Sequence, residues 1–102
     1  MRWSRSAAAD LAAIAQYIAA TSPKSAQAFL ANARDRADAL ADFPRRGRVV
    51  PELRRLGVMD WRELVFAPYR LIYIVEGKRV QVDAIVDARR DLDEVLLERL
   101  VR

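Results

Sequence analysis

The chain contains neither cysteine nor histidine. Without cysteine there are no disulfides, no thiolate nucleophiles and no zinc–thiolate sites. Without histidine, acid–base chemistry falls to Asp, Glu, Lys or Tyr, because arginine stays protonated. Lysine is nearly absent as well: Lys24 and Lys78 are the only two among eighteen basic residues, and the other sixteen are arginine. No stretch approaches the ~18 consecutive apolar residues of a membrane span. The opening Met1-Arg2-Trp3-Ser4 runs straight into structure without the apolar core of a signal peptide. These absences lead us to expect a soluble, cytoplasmic protein that uses no cofactor and no metal.

What is present fits one folded domain. A chain of 102 residues buries roughly 60–65% of the surface its unfolded form exposes, enough for a single modest core. Apolar residues make up 53% of the sequence, which argues against intrinsic disorder. The formal net charge is +4, and the excess is local: residues 45–55, RRGRVVPELRR, carry five arginines against one acid, Glu52. Such a segment marks a nucleic-acid or acidic-protein partner, or it is a solvated loop. Heavy use of Arg and Ala also reflects what a high-GC coding sequence produces.

Helical periodicity covers residues 1–44 and strand periodicity residues 48–87, with the switch at Pro44-Arg45-Arg46-Gly47. Segregated elements of this kind read as α+β: an N-terminal helical hairpin packed on a small antiparallel β-sheet, followed by a C-terminal helix. Trp3 closes a short first strand and Ser4 caps helix one, whose apolar stripe is Ala7, Leu11, Ile14, Ala15 and Ile18. Ser22 caps helix two and Pro23 occupies its first position, where a missing N–H is tolerated. Its stripe is Ala26, Phe29, Leu30, Ala33, Ala37 and Leu40, and Phe43-Pro44 ends it.

In the second half, Tyr69, Leu71, Tyr73 and Val75 share one strand face, and Arg70, Ile72, Ile74 and Glu76 the other. A turn at Gly77 leads to a strand over residues 79–87. Strict alternation there points Val80, Val82, Ala84 and Val86 at the core and Arg79, Gln81, Asp83, Ile85 and Asp87 away. Trp61 is placed to anchor the helix–sheet contact. The apolar face of the last helix, 92–102, is broad, so it must dock on its own domain or on a partner.

Four strings, in order along nearly the whole chain, resemble toxins of the ParE/RelE superfamily. They are Trp3-Ser4-Arg5-Ser6-Ala7-Ala8-Ala9-Asp10-Leu11; Leu40 to Arg48, with its Leu-x-x-x-Pro-x-x-Gly pattern; Arg62-Glu63-Leu64 followed by Tyr69-Arg70-Leu71-Ile72-Tyr73; and Val82 to Arg90. The resemblance implies the toxin half of a type II toxin–antitoxin pair, silenced by a cognate antitoxin (ParD-like or similar) that lays an extended or helical segment over it. It also implies one of two targets. RelE-like members cut mRNA in the ribosomal A site, and ParE-like members poison DNA gyrase.

RNA cleavage through the 2′-hydroxyl requires a base, an acid and stabilisation of phosphorane charge. Such relatives carry a basic cluster on the sheet and a catalytic Tyr, His or Glu near the C-terminus. Here no lysine falls within a strand, and Asp87-Ala88-Arg89-Arg90 follows where many relatives carry histidine. A nuclease would have to use Arg70, Arg89 and Asp87, and an aspartate of ordinary pKa ~3.9 is a weak base. The residues therefore favour a gyrase-binding toxin with no chemistry of its own. Arg62, Arg70, Arg89 and Arg90 are its candidate target contacts, and Leu96, Leu97 and Leu100 its candidate antitoxin contacts. Alternatively, Arg70 simply pairs with Asp83 or Asp87 on the outer sheet face, and Arg62 and Glu63 pair across strands with neighbours. A third reading is a non-toxic, antitoxin-binding relative.

Overall fold

The computed structural model describes residues 1–89 together with Glu98 and Arg99. Eight elements follow in chain order: β1 (Arg2–Trp3), α1 (Arg5–Ala19), α2 (Pro23–Ala39), β2 (Arg48–Val49), α3 (Pro51–Arg54), β3 (Trp61–Phe66), β4 (Tyr69–Glu76) and β5 (Arg79–Asp87). The expected terminal helix lies outside the described residues, save for Glu98 and Arg99.

Both long helices begin as their sequences direct. The Ser4 hydroxyl accepts the Ala7 amide at 3.0 Å, and the Ser22 hydroxyl accepts the Ser25 amide at 3.1 Å ahead of Pro23. Each cap satisfies one of the orphan donors of a first turn, a contribution of about 1 kcal/mol. The buried stripe of α1 is Ala7, Leu11 and Ala15, and that of α2 is Ala26, Phe29, Ala33 and Ala37. Small side chains along both stripes let the hairpin sit close to the sheet. There it joins Leu40, Phe66, Leu71, Tyr73, Val80, Val82 and Ile85 in the main core. Phe29 meets the edge of Tyr69 at 5.1 Å between ring centres, and the Arg36 guanidinium lies 5.3 Å over the Phe66 ring.

The sheet has five strands in the order β1-β5-β4-β3-β2. It is antiparallel except at one edge, where β1 runs parallel to β5 and so makes the sheet mixed. Strict alternation fails in β5. Tyr73 is opposite Val82 and Ile72 is opposite Ala84, so Asp83 is an inserted residue, a β-bulge. One extra residue reverses the pleat. Val80 and Val82 face the helices as expected, but beyond the bulge Ile85 faces them and Ala84 and Val86 face the other side.

That other side is a second core rather than a solvated surface. The segment expected as an open basic loop forms β2 and the single turn α3. Val50 and Leu53, both buried, close over Ile72, Ala84 and Val86, with Val58 and Trp61 at the margin. Trp61 thus anchors this far face and not the helix–sheet contact; its indole N–H donates to Asp83 Oδ2 at 3.2 Å.

The entry to this layer is tight at Gly47. Its N–H donates to the buried Tyr73 hydroxyl at 2.8 Å, and a Cβ there would lie 2.5 Å from the Glu63 carbonyl oxygen and 2.7 Å from the Tyr73 hydroxyl. Gly47→Ala is therefore expected to destabilise the protein by about 1–3 kcal/mol, the range for overpacking. An unchanged urea midpoint would show that this backbone lifts away freely.

Candidate functional site

Arg70 is the charged residue the fold handles with most care. It follows Tyr69 in β4 and so projects to the face opposite the helices, beneath α3, where it is 6% exposed. A buried guanidinium must be paired. Its Nε donates to both oxygens of Glu63 at 3.1 and 2.8 Å, and Nη2 adds a further bond to Glu63 Oε1. Nη1 and Nη2 form a fork onto the two oxygens of Glu52 at 2.6 and 2.8 Å. Arg48 reaches Glu63 from the other side at 3.3 Å. Hydrogen bonds from Arg70 hold the Glu52 carboxyl below its ordinary value of 4.5, and the two carboxylates in turn raise the arginine further. The expected pairing of Arg70 with Asp83 or Asp87 is not found. The bulge in β5 turns Asp87 to the helix-side face, away from Arg70, while β3–β4 pairing sets Glu63 near Arg70 and the second core brings Glu52 on α3.

Arg62 sits opposite Tyr73, half-buried on the helix-side face of β3. Its Nη1 donates to the Gly47 and Arg45 carbonyl oxygens at 2.7 and 3.4 Å. Burial raises the Tyr73 hydroxyl above the ordinary phenol value, so this group is a neutral hydrogen-bonding partner.

Asp87 ends β5 opposite Tyr69, on the helix-side face. Arg89 folds back on it, with Nε to Oδ1 at 2.9 Å and Nη2 to Oδ2 at 2.6 Å. This pair raises the Arg89 guanidinium, whose side chain stays 73% exposed. Both residues line a groove of about 490 Å3 between α1 and the end of β5, together with Tyr17, Tyr69 and Arg99. At its inner end, Asp10 Oδ2 accepts the Ile85 amide at 3.1 Å, and Arg99 bridges Asp10 Oδ2 and the Asp83 carbonyl at 3.1 and 3.0 Å.

The fold therefore brings Asp87 and Arg89 together but sets Arg70 on the opposite sheet face. Arg90, Leu96, Leu97 and Leu100 lie outside the described residues. The expected cross-strand pairing of Glu63 is found, with Arg70 and Arg48; sequence reasoning missed Glu52, Asp10 and Arg99 as partners. Only Glu52 left a signal, as the one acid in the basic segment.

A family model described as "ParE toxin of type II toxin-antitoxin system, parDE" matches residues 1–92. The chain belongs to the ParE toxin family. Among curated proteins it resembles Toxin RelE2 of Caulobacter vibrioides, 39% identical over 77 residues that span 74% of this chain and 80% of that protein. Among solved structures it resembles the chromosomal ParDE TA system from P. aeruginosa, with a TM-score of 0.68 and 26% identity over 84% of this chain and 91% of that one. The protein is thus a toxin of a type II toxin–antitoxin system, and the ParDE family to which it belongs implies an antitoxin partner.

In this ParE-family chain the arginine triad makes two predictions. Arg70→Met leaves Glu52 without its cation and buried Glu63 with Arg48 alone, and should cost about 3–5 kcal/mol in chemical unfolding; a loss below 1 kcal/mol would mean the carboxylates reach water. Glu52 is depressed in the fold, so its contribution is present above its ordinary value of 4.5 and lost as the pH falls below it. Stability should fall below that point, and Glu52→Gln should flatten this acid limb; a limb of the same steepness in the variant would assign it to other carboxylates.

Proposed function

We propose that this toxin arrests growth by binding DNA gyrase in the cytoplasm, that it has no catalysis of its own, and that a cognate antitoxin neutralises it. The observation that carries this reading is the fate of Arg70. A ribonuclease needs an accessible mid-sheet cation to stabilise phosphorane charge, with an acid and a base on the same face. Here that cation is buried against Glu52 and Glu63, and Asp87 is on the opposite face in contact with Arg89. The Tyr73 hydroxyl, buried and bonded to Gly47, is not poised for proton transfer.

Target contact then falls to Arg89 and Arg90, with Arg62 beside the Gly47 turn; Arg70 supports the surface from within. The exposed Tyr17 and the groove beside Arg89 extend that surface. The antitoxin presents an acidic segment to this basic domain, which raises the association rate, and covers Leu96, Leu97 and Leu100. The likeness to a protein named Toxin RelE2 favours a second reading, ribosome-dependent mRNA cleavage.

Induction without antitoxin, with labelled DNA and protein precursors followed side by side, separates the two. DNA synthesis should stop first, and the purified toxin should inhibit gyrase supercoiling. Early arrest of protein synthesis, with gyrase unaffected, would replace this proposal with the nuclease.

A further inference from the structure

Of the five arginines of residues 45–55, only Arg48 has a partner in the site described so far, Glu63. Arg45, Arg46, Arg54 and Arg55 are exposed and make no ion pair among the described residues, and the Arg48 side chain is 63% exposed. A flexible basic loop would be unremarkable solvated charge. This one is held on three sides. The Gly47 N–H is fixed on Tyr73, the Arg45 and Gly47 carbonyls accept from Arg62, and Glu52 is clamped by Arg70. Val50 and Leu53 seat the same segment in the second core.

The clamp also engages the acid that would otherwise pair with the arginines around it. Glu52 is the one acid within residues 45–55, and its carboxylate is taken up by Arg70. Glu63, the neighbouring acid, is buried under Arg70 and Arg48. Asp42 and Asp60 stand only at the two ends of the segment. Phe43, Leu56 and Met59 add exposed apolar surface, at 64%, 60% and 54%.

We infer that this ledge binds the phosphate backbone of a nucleic-acid duplex. Guanidinium forks match phosphate oxygens in pairs. Uniformity of charge decides between a nucleic acid and an acidic protein. A duplex carries a phosphate at every nucleotide of both strands, whatever its sequence. A helical peptide offers a comparable run of anions only where acids recur on one face every three or four residues. The inference goes beyond the gyrase proposal and does not depend on it.

The test is fluorescence anisotropy of the full-length chain with a labelled 20-base-pair DNA duplex and an RNA duplex of the same sequence, from 50 to 200 mM salt. Four to five phosphate contacts should weaken binding on the order of 100- to 500-fold across that range. Arg45→Ala/Arg46→Ala/Arg54→Ala/Arg55→Ala should weaken binding at least tenfold at the lowest salt and flatten the salt dependence to less than about tenfold. These side chains make no described bonds, and circular dichroism checks that the variant is folded; the two double variants, 45/46 and 54/55, provide smaller steps of the same kind. Arg5→Ala/Arg34→Ala, which removes two exposed arginines from the helical hairpin, should leave binding intact. Preference for the DNA or the RNA duplex identifies which polymer supplies the backbone, and equal binding means that the backbone alone is read. No binding at 50 mM salt, equal loss in the hairpin control, or displacement by polyglutamate as effective per charge as by unlabelled duplex would overturn the inference.

Discussion

A guanidinium cannot be left alone in a protein interior, and Arg70 is in one. Its two carboxylate partners come from different elements, Glu52 from the single turn of α3 and Glu63 from β3. Satisfying one cation therefore ties a short, locally weak segment to the middle of the sheet. A four-residue helix has no stability of its own. It stays because Leu53 is buried beneath it and Glu52 is locked beside it. Relative to an apolar core such a triad adds little net stability, but its disruption leaves an uncompensated charge, so it specifies one arrangement. We suggest that placement of the basic ledge is what the triad secures.

The second organising feature is the bulge at Asp83. One inserted residue turns Ile85 toward the helices and Ala84 and Val86 toward α3, so both faces of β5 become core. The irregular backbone is satisfied from several directions. Ser4 and Arg99 donate to the Asp83 carbonyl, Trp61 and Gln81 to its carboxylate, and Asp10 accepts the Ile85 amide. Asp10 of α1 thus holds the strand where the groove begins.

These two features divide the charged residues by role. Arg70 and Arg62 spend their hydrogen bonds inside the molecule, on carboxylates and on loop carbonyls. Arg89, Arg45, Arg46, Arg54 and Arg55 stay at the surface.

Much of the architecture was legible from the residues. Ser4, Ser22 and Pro23 announce the two helices, the Ala-rich stripes announce their packing, and the alternation through Tyr69–Glu76 gives both faces of the central strand correctly. These signals are local: each depends on neighbours within a turn or a pleat. The family, too, was visible in four short strings in register. The side of the sheet chosen by residues 84–87, the parallel edge at β1, the helical turn in the basic segment and the partners of Arg70 were not. Each depends on groups far apart in sequence, Glu52 with Arg70, Asp10 with Ile85, Tyr73 with Gly47, whose meeting is set by a single inserted residue and by where a buried charge finds its counter-ion. The sequence determined which of the long elements form and which face of most of them is apolar. Only the tertiary structure decided which arginines remain at the surface, because desolvation and pairing are properties of the assembled interior.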